Sequence, residues 1–217
     1  MIIFALFLFV SASDSFAYPS HWWKKIAENE RQGSWEVLPH EVLKNKVLVL
    51  SKRNELGVFS NFANTPFELD KKEYASIEAL WQMMKYPDLS DPNDPRNSIK
   101  HLFKLTREDV SKLSGFEAKK VGDIANKINE KYNLKNILSY KKRIFNYKDF
   151  SEGSLYHYQI IKKAIELKVL SHPDIYKLLL TTKGLKLVPD HIQGDNLPKS
   201  YLYHEILMDI RDSKPAK

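Results

Sequence analysis

Glu78, Trp81 and Lys85 stand three and four residues apart in the stretch SIEALWQMMKYP, which runs from Ser76 to Pro87. An ionised carboxylate beside an aromatic plate and a cation can stabilise a sugar cation. It is less suited to donate a proton, which needs a raised pKa. For these groups to act together they must share a helix face. Ser76 is the best N-cap, because its hydroxyl accepts from the free amides of a first turn. Pro87 stops the helix after Tyr86, because the residue before a proline avoids the helical region. With Glu78 at zero and about 100° per residue, Ile77, Leu80 and Met84 fall near 260°, 200° and 240°, one apolar face. Trp81 and Lys85 fall near roughly 300° and 340°, on the side of Glu78, with Lys85 about 10 Å further along the axis. Two readings follow: a wet polar face, or the wall of a pocket. A tryptophan is unfavourable in water, which argues for the pocket. Glu78 also lies at the helix N-terminus, where the dipole is expected to keep it ionised.

Other chemistries lack their residues. There is no cysteine, so disulfides, thiolate metal sites and a cysteine nucleophile are excluded. The seven histidines (His21, His40, His101, His157, His172, His191 and His204) form no HxxxH pair. No GxGxxG, phosphate loop or GxSxG elbow is present. No metal and no cofactor are expected, and catalysis would rest on carboxylate, lysine and aromatic groups.

The elements that must carry these residues are legible in part. A chain of 217 residues with 43% apolar content suits one globular domain. Asn45 to Ser51 reads as a buried strand and Phe67 to Tyr74 as a hairpin turning at Asp70-Lys71. Residues 88–98 read as a loop with two Asp-rich turns. Thr106 caps a short helix. A helix over Phe116 to Tyr132 is predicted to turn Val121, Ile124 and Ile128 inward. Ser154 is predicted to cap a longer helix with Leu155, Tyr158, Ile161, Ile165 and Val169 inward. Pro173-Asp174 opens another helix ending near Gly184, Leu185 to Val188 is a short strand, and a last helix covers Ser200 to Asp212. The fold class expected is α+β: a single, predominantly helical domain with a small β-sheet, not a doubly wound one.

The first 17 residues stand apart. Ile2 to Val10 is an apolar run of nine, too short for a spanning helix of roughly 20 residues. Small residues follow, ending in Ser15-Phe16-Ala17. Residues 1–17 read as a secretory signal cleaved after Ala17, although no Lys or Arg precedes the run. A periplasmic or secreted location is then expected, without stable membrane insertion after cleavage; an anchor or a misplaced start is the alternative. Residues 18–40 read as an N-terminal extension with Trp22-Trp23 as packing anchors. The net charge of +7 becomes +8 on losing Asp14. The lysines are scattered, so the charge is either a solvated surface or an attraction for phosphates, nucleic acid or anionic lipid.

The run GVFSNFANTPFELDKKEYASIEALWQMMKYP resembles the signature of the NADAR family, the YbiA-like N-glycosidases. Its core is the triplet Ser60-Asn61-Phe62, a hairpin, and a helix carrying Ser76, Glu78 and Lys85. The resemblance continues more weakly through GFEAKKVGDIAN, AIELKVLSHPDIYKLLLTT, LKLVPDH and EILMDIR, and covers roughly residues 45–212 of a domain placed at 41–217. It implies cleavage of an N-glycosidic bond of ribose, with a nucleotide or ADP-ribosylated nucleobase as substrate and nucleic acid as a further partner. Glu78 would be the catalytic glutamate and Lys85 the helix lysine. Ser60, Asn61 and Phe62 would border the pocket, Trp81 and Phe62 would stack on a base or wall the pocket, and Arg53 would take a phosphate or be a surface charge. There is a departure. Many members have an Asp-x-x-Trp-Gly segment before the last helix, where this chain reads VPDHIQGDNLPKSYLYHEI. Asp190 or His191 would replace part of that function, or be a turn residue and a surface group. The alternatives to an enzyme are a non-catalytic ADP-ribose or nucleic-acid binder and a secreted effector acting on a nucleotide.

Overall fold

The computed structural model describes residues 18–148 and 152–213. The expected signal segment, 1–17, lies outside them. The architecture is α+β, and among the described residues the strands form three separate two-stranded sheets instead of one. β1 (Val47–Val49) lies parallel to β6 (Lys186–Val188). β2 (Phe67–Leu69) and β3 (Lys72–Tyr74) form a hairpin, as do β4 (Ile137–Tyr140) and β5 (Arg143–Asn146). The helices are α1 (Ile77–Met83), α2 (Arg107–Ser111), α3 (Gly115–Lys131), α4 (Glu152–Leu170), α5 (Pro173–Thr181) and α6 (Tyr203–Asp212). Among the described residues no helix is long and apolar enough to cross a membrane.

Both hairpins turn on two residues of positive φ: Asp70 at 55° and Lys71 at 63°, then Lys141 at 49° and Lys142 at 58°. Such a turn matches the twist of the flanking strands. The Asp70 carboxylate ties the hairpins together, accepting from Tyr140 OH at 2.7 Å and pairing with Lys141 at 2.7 Å.

α4 packs on α1, α5, α6 and the first hairpin. Ile161, Ile165 and Val169 face the core as expected, but Leu155 is exposed and Ser154 lies inside the helix, not at its cap. On α3 the predicted face is displaced. The buried residues are Ala118, Gly122, Ala125 and Asn129, while Ile124 is exposed and Val121 and Ile128 are only half-buried. Small side chains let α1 approach closely, and that contact decides the face. Trp22 and Trp23 are buried in the core, donating to Glu55 at 2.6 Å and to the Val47 carbonyl at 2.8 Å.

Both ends of α1 are fixed. Ser76 Oγ accepts from Ala79 N at 3.0 Å, and Glu78 N donates to the Asn61 carbonyl at 2.9 Å. The helix stops at Met83, short of the predicted Tyr86, and its exit tightens: Lys85 N reaches back to the Gln82 carbonyl at 3.1 Å and Tyr86 N to that of Met83 at 3.0 Å. Three consecutive carbonyls left over by the helix find side-chain donors. Met84 O accepts from Arg96 at 2.7 Å, Lys85 O from Asn129 at 3.0 Å, and Tyr86 O from Arg107 at 2.9 Å. Arg96 itself is wholly buried and paired with Asp94 at 2.6 Å. The segment that carries Glu78 and Lys85 is therefore held from beneath by three other parts of the chain.

Candidate active site

A cleft of 590 Å³ opens over α1. Glu78, Trp81, Gln82 and Lys85 form its floor, and Ser60, Asn61 and Phe62 form one wall. α3 adds Phe116 and Lys119, the exit from β5 adds Tyr147 and Lys148, and the chain around α6 adds Tyr201 and Tyr203. The face of α1 that periodicity left undecided is thus a pocket wall. Every residue from Ile77 to Met83 is buried, with Glu78 at 6% exposure and Lys85 just beyond the helix at 5%.

Burial works against the expectation that Glu78 stays ionised. It pushes the carboxyl above its usual range, against the opposing effects of a hydrogen bond from Gln82 Nε2 at 2.6 Å and the charge of Lys85. The terminus of α1 offers little to set against this, because the helix has only seven residues and its first amides already serve Asn61 and Ser76. Lys85 moves the other way. Burial lowers it to about 8, with Glu78 and Asp123 opposing. Among the described residues neither group has an ion-pair partner within reach. The floor therefore carries an acid that burial pushes up and a base that burial pulls down.

Trp81 is a wall, not a loose plate. Its ring meets His157 at 4.4 Å, Tyr201 at 4.8 Å and Tyr147 at 6.2 Å, each edge-on. His157 is fully buried, with Nδ1 at 3.0 Å from Ser200 Oγ. Burial, then the charge of Lys85, lowers it to about 3, so it is neutral.

The Ser60-Asn61-Phe62 triplet is pinned through its backbone. Ser60 O accepts from Lys168 Nζ at 2.8 Å, Asn61 O from Glu78 N at 2.9 Å and Phe62 O from Gly115 N at 2.9 Å. Helices α4, α1 and α3 each supply one donor. The Asn61 side-chain oxygen is left buried without a partner among the described residues. Gly115 has φ of +56°, a conformation that suits glycine and turns its amide onto the triplet.

Two sequence candidates fall elsewhere. Arg53 does not line the cleft. Its guanidinium is committed to Glu36 at 2.8 and 3.0 Å and to the Glu30 carbonyl at 2.5 Å. Asp190 is also absent from the lining. It is buried under Lys52, with Nζ at 2.6 and 2.8 Å, and beside His191 Nδ1 at 3.1 Å. Burial pushes Asp190 up, but the His191 and Lys52 hydrogen bonds outweigh it and hold the carboxyl below its usual range. His191 does reach the cleft, with its neighbours Ile192 and Gln193.

Sequence reasoning missed Lys52, Gln82, Tyr147, Tyr201 and Lys119 as pocket residues. Lys52 follows β1 and Asp190 follows β6, so only the parallel pairing of those strands brings them together. Lys52 Nζ also stands 5.7 Å from the centre of the Phe62 ring. Gln82 had a visible signal: it is four residues after Glu78, on the same helical face. Among the described residues no group of three or more His, Asp or Glu gathers as metal ligands would.

Fold and site together define a single α+β domain with a buried carboxyl and a buried amine on the floor of an aromatic-walled cleft. No protein-family model matches the chain. No curated protein matches it. Among solved structures, the NMR structure of the E. coli protein YbiA is similar, at 21% identity and a TM-score of 0.47, covering 78% of this chain and 85% of that one. A likeness of that size leaves the chemistry of the cleft to this chain's own residues.

Proposed function

We propose that the protein is a hydrolase that cleaves an N-glycosidic bond of ribose, removing ADP-ribose from a guanine base or splitting a related ribosyl compound. One observation carries the reading: the Glu78 carboxyl and the Lys85 amine, both buried, line one cleft of 590 Å³, a volume in the range of small-molecule sites. The resemblance of the Ser60-Asn61-Phe62 and Ser76-x-Glu78 motifs to the NADAR pattern supports the bond type.

In the reaction proposed, water adds to C1 of the ribose as the C1–N bond breaks. The bonding electrons leave with the base nitrogen, which takes a proton from solvent. Glu78 accepts the proton of the attacking water. Its raised pKa makes it a better base than a free carboxylate, and before that transfer its charge stabilises the positive ribose ring. Lys85, when protonated, donates to a ribose or phosphate oxygen. Trp81, Tyr147 and Tyr201 wall the ring and keep bulk water from its faces, leaving room for the attacking molecule. To test this, the protein is incubated with a guanine-ADP-ribosylated oligonucleotide and released ADP-ribose is measured. Glu78→Gln is expected to lower release by about 100-fold or more.

A second reading, a non-catalytic ADP-ribose or nucleic-acid binder, is favoured by the loop before α6. Asp190, the candidate to replace the family's missing segment, is locked to Lys52 outside the cleft. Calorimetry with ADP-ribose separates the two: tight binding with no turnover selects the binder. For the location, we propose export to the periplasm or the medium through residues 1–17, where the protein would act as a secreted effector on a nucleotide. Recovery from the cytosol with those residues intact contradicts that.

A further inference from the structure

The Glu78 carboxyl has one side-chain hydrogen bond among the described residues, from Gln82 Nε2 at 2.6 Å. Gln82 is 4% exposed, and its Oε1 is buried with no partner among the described residues. A polar side chain is unfavourable in such a place unless something holds it there. The amide is wedged where α1 crosses α3. A Cβ on Gly122 would lie 1.7 Å from Gln82 Oε1, 2.2 Å from Cδ and 2.8 Å from Cγ. Gly122 lies mid-helix, where glycine is a poor choice on propensity alone, and its φ does not require glycine. The space above its Cα is what the fold uses. With that space filled, the Gln82 side chain, which donates to Glu78, has to shift.

We propose that Gln82 is the positioning residue of the Glu78 carboxyl, and that Gly122 is the position on α3 that admits it. For its consequence in turnover the proposal rests on the reading of Glu78 as the reacting carboxyl. The geometry stands without that reading. Gln82 fixes which way the carboxyl points in the cleft and donates to its ionised form. The other groups that face Glu78 are Lys85 beyond its own helix, Lys119 and Asp123 from α3, and Tyr201 from the turn before α6. From α4 the buried His157 stands against Lys85.

The test reads the carboxyl directly. Protein labelled with carbon-13 at its glutamate carboxyls is titrated by NMR as wild type, Gln82→Met, Gly122→Ala and the double variant. Removing one donor to a buried carboxylate should raise the Glu78 midpoint by about one pH unit. Gly122→Ala should do so although it touches no carboxyl, and the double variant should move no further than either single one. If ribosyl turnover is present, the acid limb of kcat/KM moves up by the same amount. A Gln82→Met midpoint equal to wild type overturns the proposal, and so does a Gly122→Ala midpoint that stays put. Should a variant fail to fold, the wild type decides. Its Gln82 side-chain amide signals should shift with the Glu78 midpoint, and signals that stay flat through that titration contradict the proposal. The two failures are separable: a wild type inert toward every ribosyl probe contradicts the functional reading, and only the titrations contradict this one.

Discussion

At Glu78 burial disfavours the charged form, while Gln82 and Lys85 favour it. The carboxyl is pushed up while Lys85 is pulled down to about 8. This gives a pH prediction with a definite sign. If protonated Lys85 holds the substrate, activity falls as pH rises through about 8. Lys85→Arg should remove that alkaline limb, because a guanidinium stays charged; a pH–rate profile with the limb unmoved assigns it elsewhere. A carboxyl whose folded pKa lies above its unfolded value is disfavoured in its ionised form, so stability falls as pH rises between the two values. Glu78→Gln removes that penalty and should raise stability at neutral pH. Chemical denaturation measures it, and a loss of stability would show that the ionised carboxyl is held favourably.

Among the elements, α1 was the most legible. Its cap at Ser76, the apolar face of Ile77, Leu80 and Met84, and the hairpin before it follow from local rules. The second hairpin was not legible, because Lys141-Lys142 adopts the two-residue turn without the Asp, Asn or Gly that signals it. The buried face of α3 was misplaced for a related reason. Periodicity follows large apolar residues, and here close packing is made by Ala118, Gly122 and Ala125. Lys52 and Asp190 could not be paired from sequence because a parallel strand pair is a long-range fact. On α4, Lys168 is fully buried, donates to the Ser60 carbonyl at 2.8 Å, and is lowered by burial to about 7. Unfolded, it titrates near its ordinary 10.5, so between those values the unfolded chain binds more protons. Stability should therefore rise with pH across that window, and Lys168→Met should flatten the rise. An identical pH dependence in the variant would mean that Lys168 is not buried in this way.

For the whole molecule, one buried network sets the site beneath its cleft. Arg96 joins Asp94, the exit of α1 and the β4 strand through Ile137 O and Ser139. Arg96→Met would leave Asp94 buried without its cation. It should destabilise the fold by roughly 3–5 kcal/mol, read as a shift in denaturation midpoint, and a shift under 1 kcal/mol would mean the pair is dispensable. The fold class was readable from composition and pattern, while the cleft needed contacts between the two halves of the chain. Release of ADP-ribose from a guanine-ADP-ribosylated oligonucleotide, wild type against Glu78→Gln, decides whether Glu78 is the reacting carboxyl. Release by the wild type and a loss of about 100-fold in the variant are predicted; equal release by the two would contradict the assignment of Glu78.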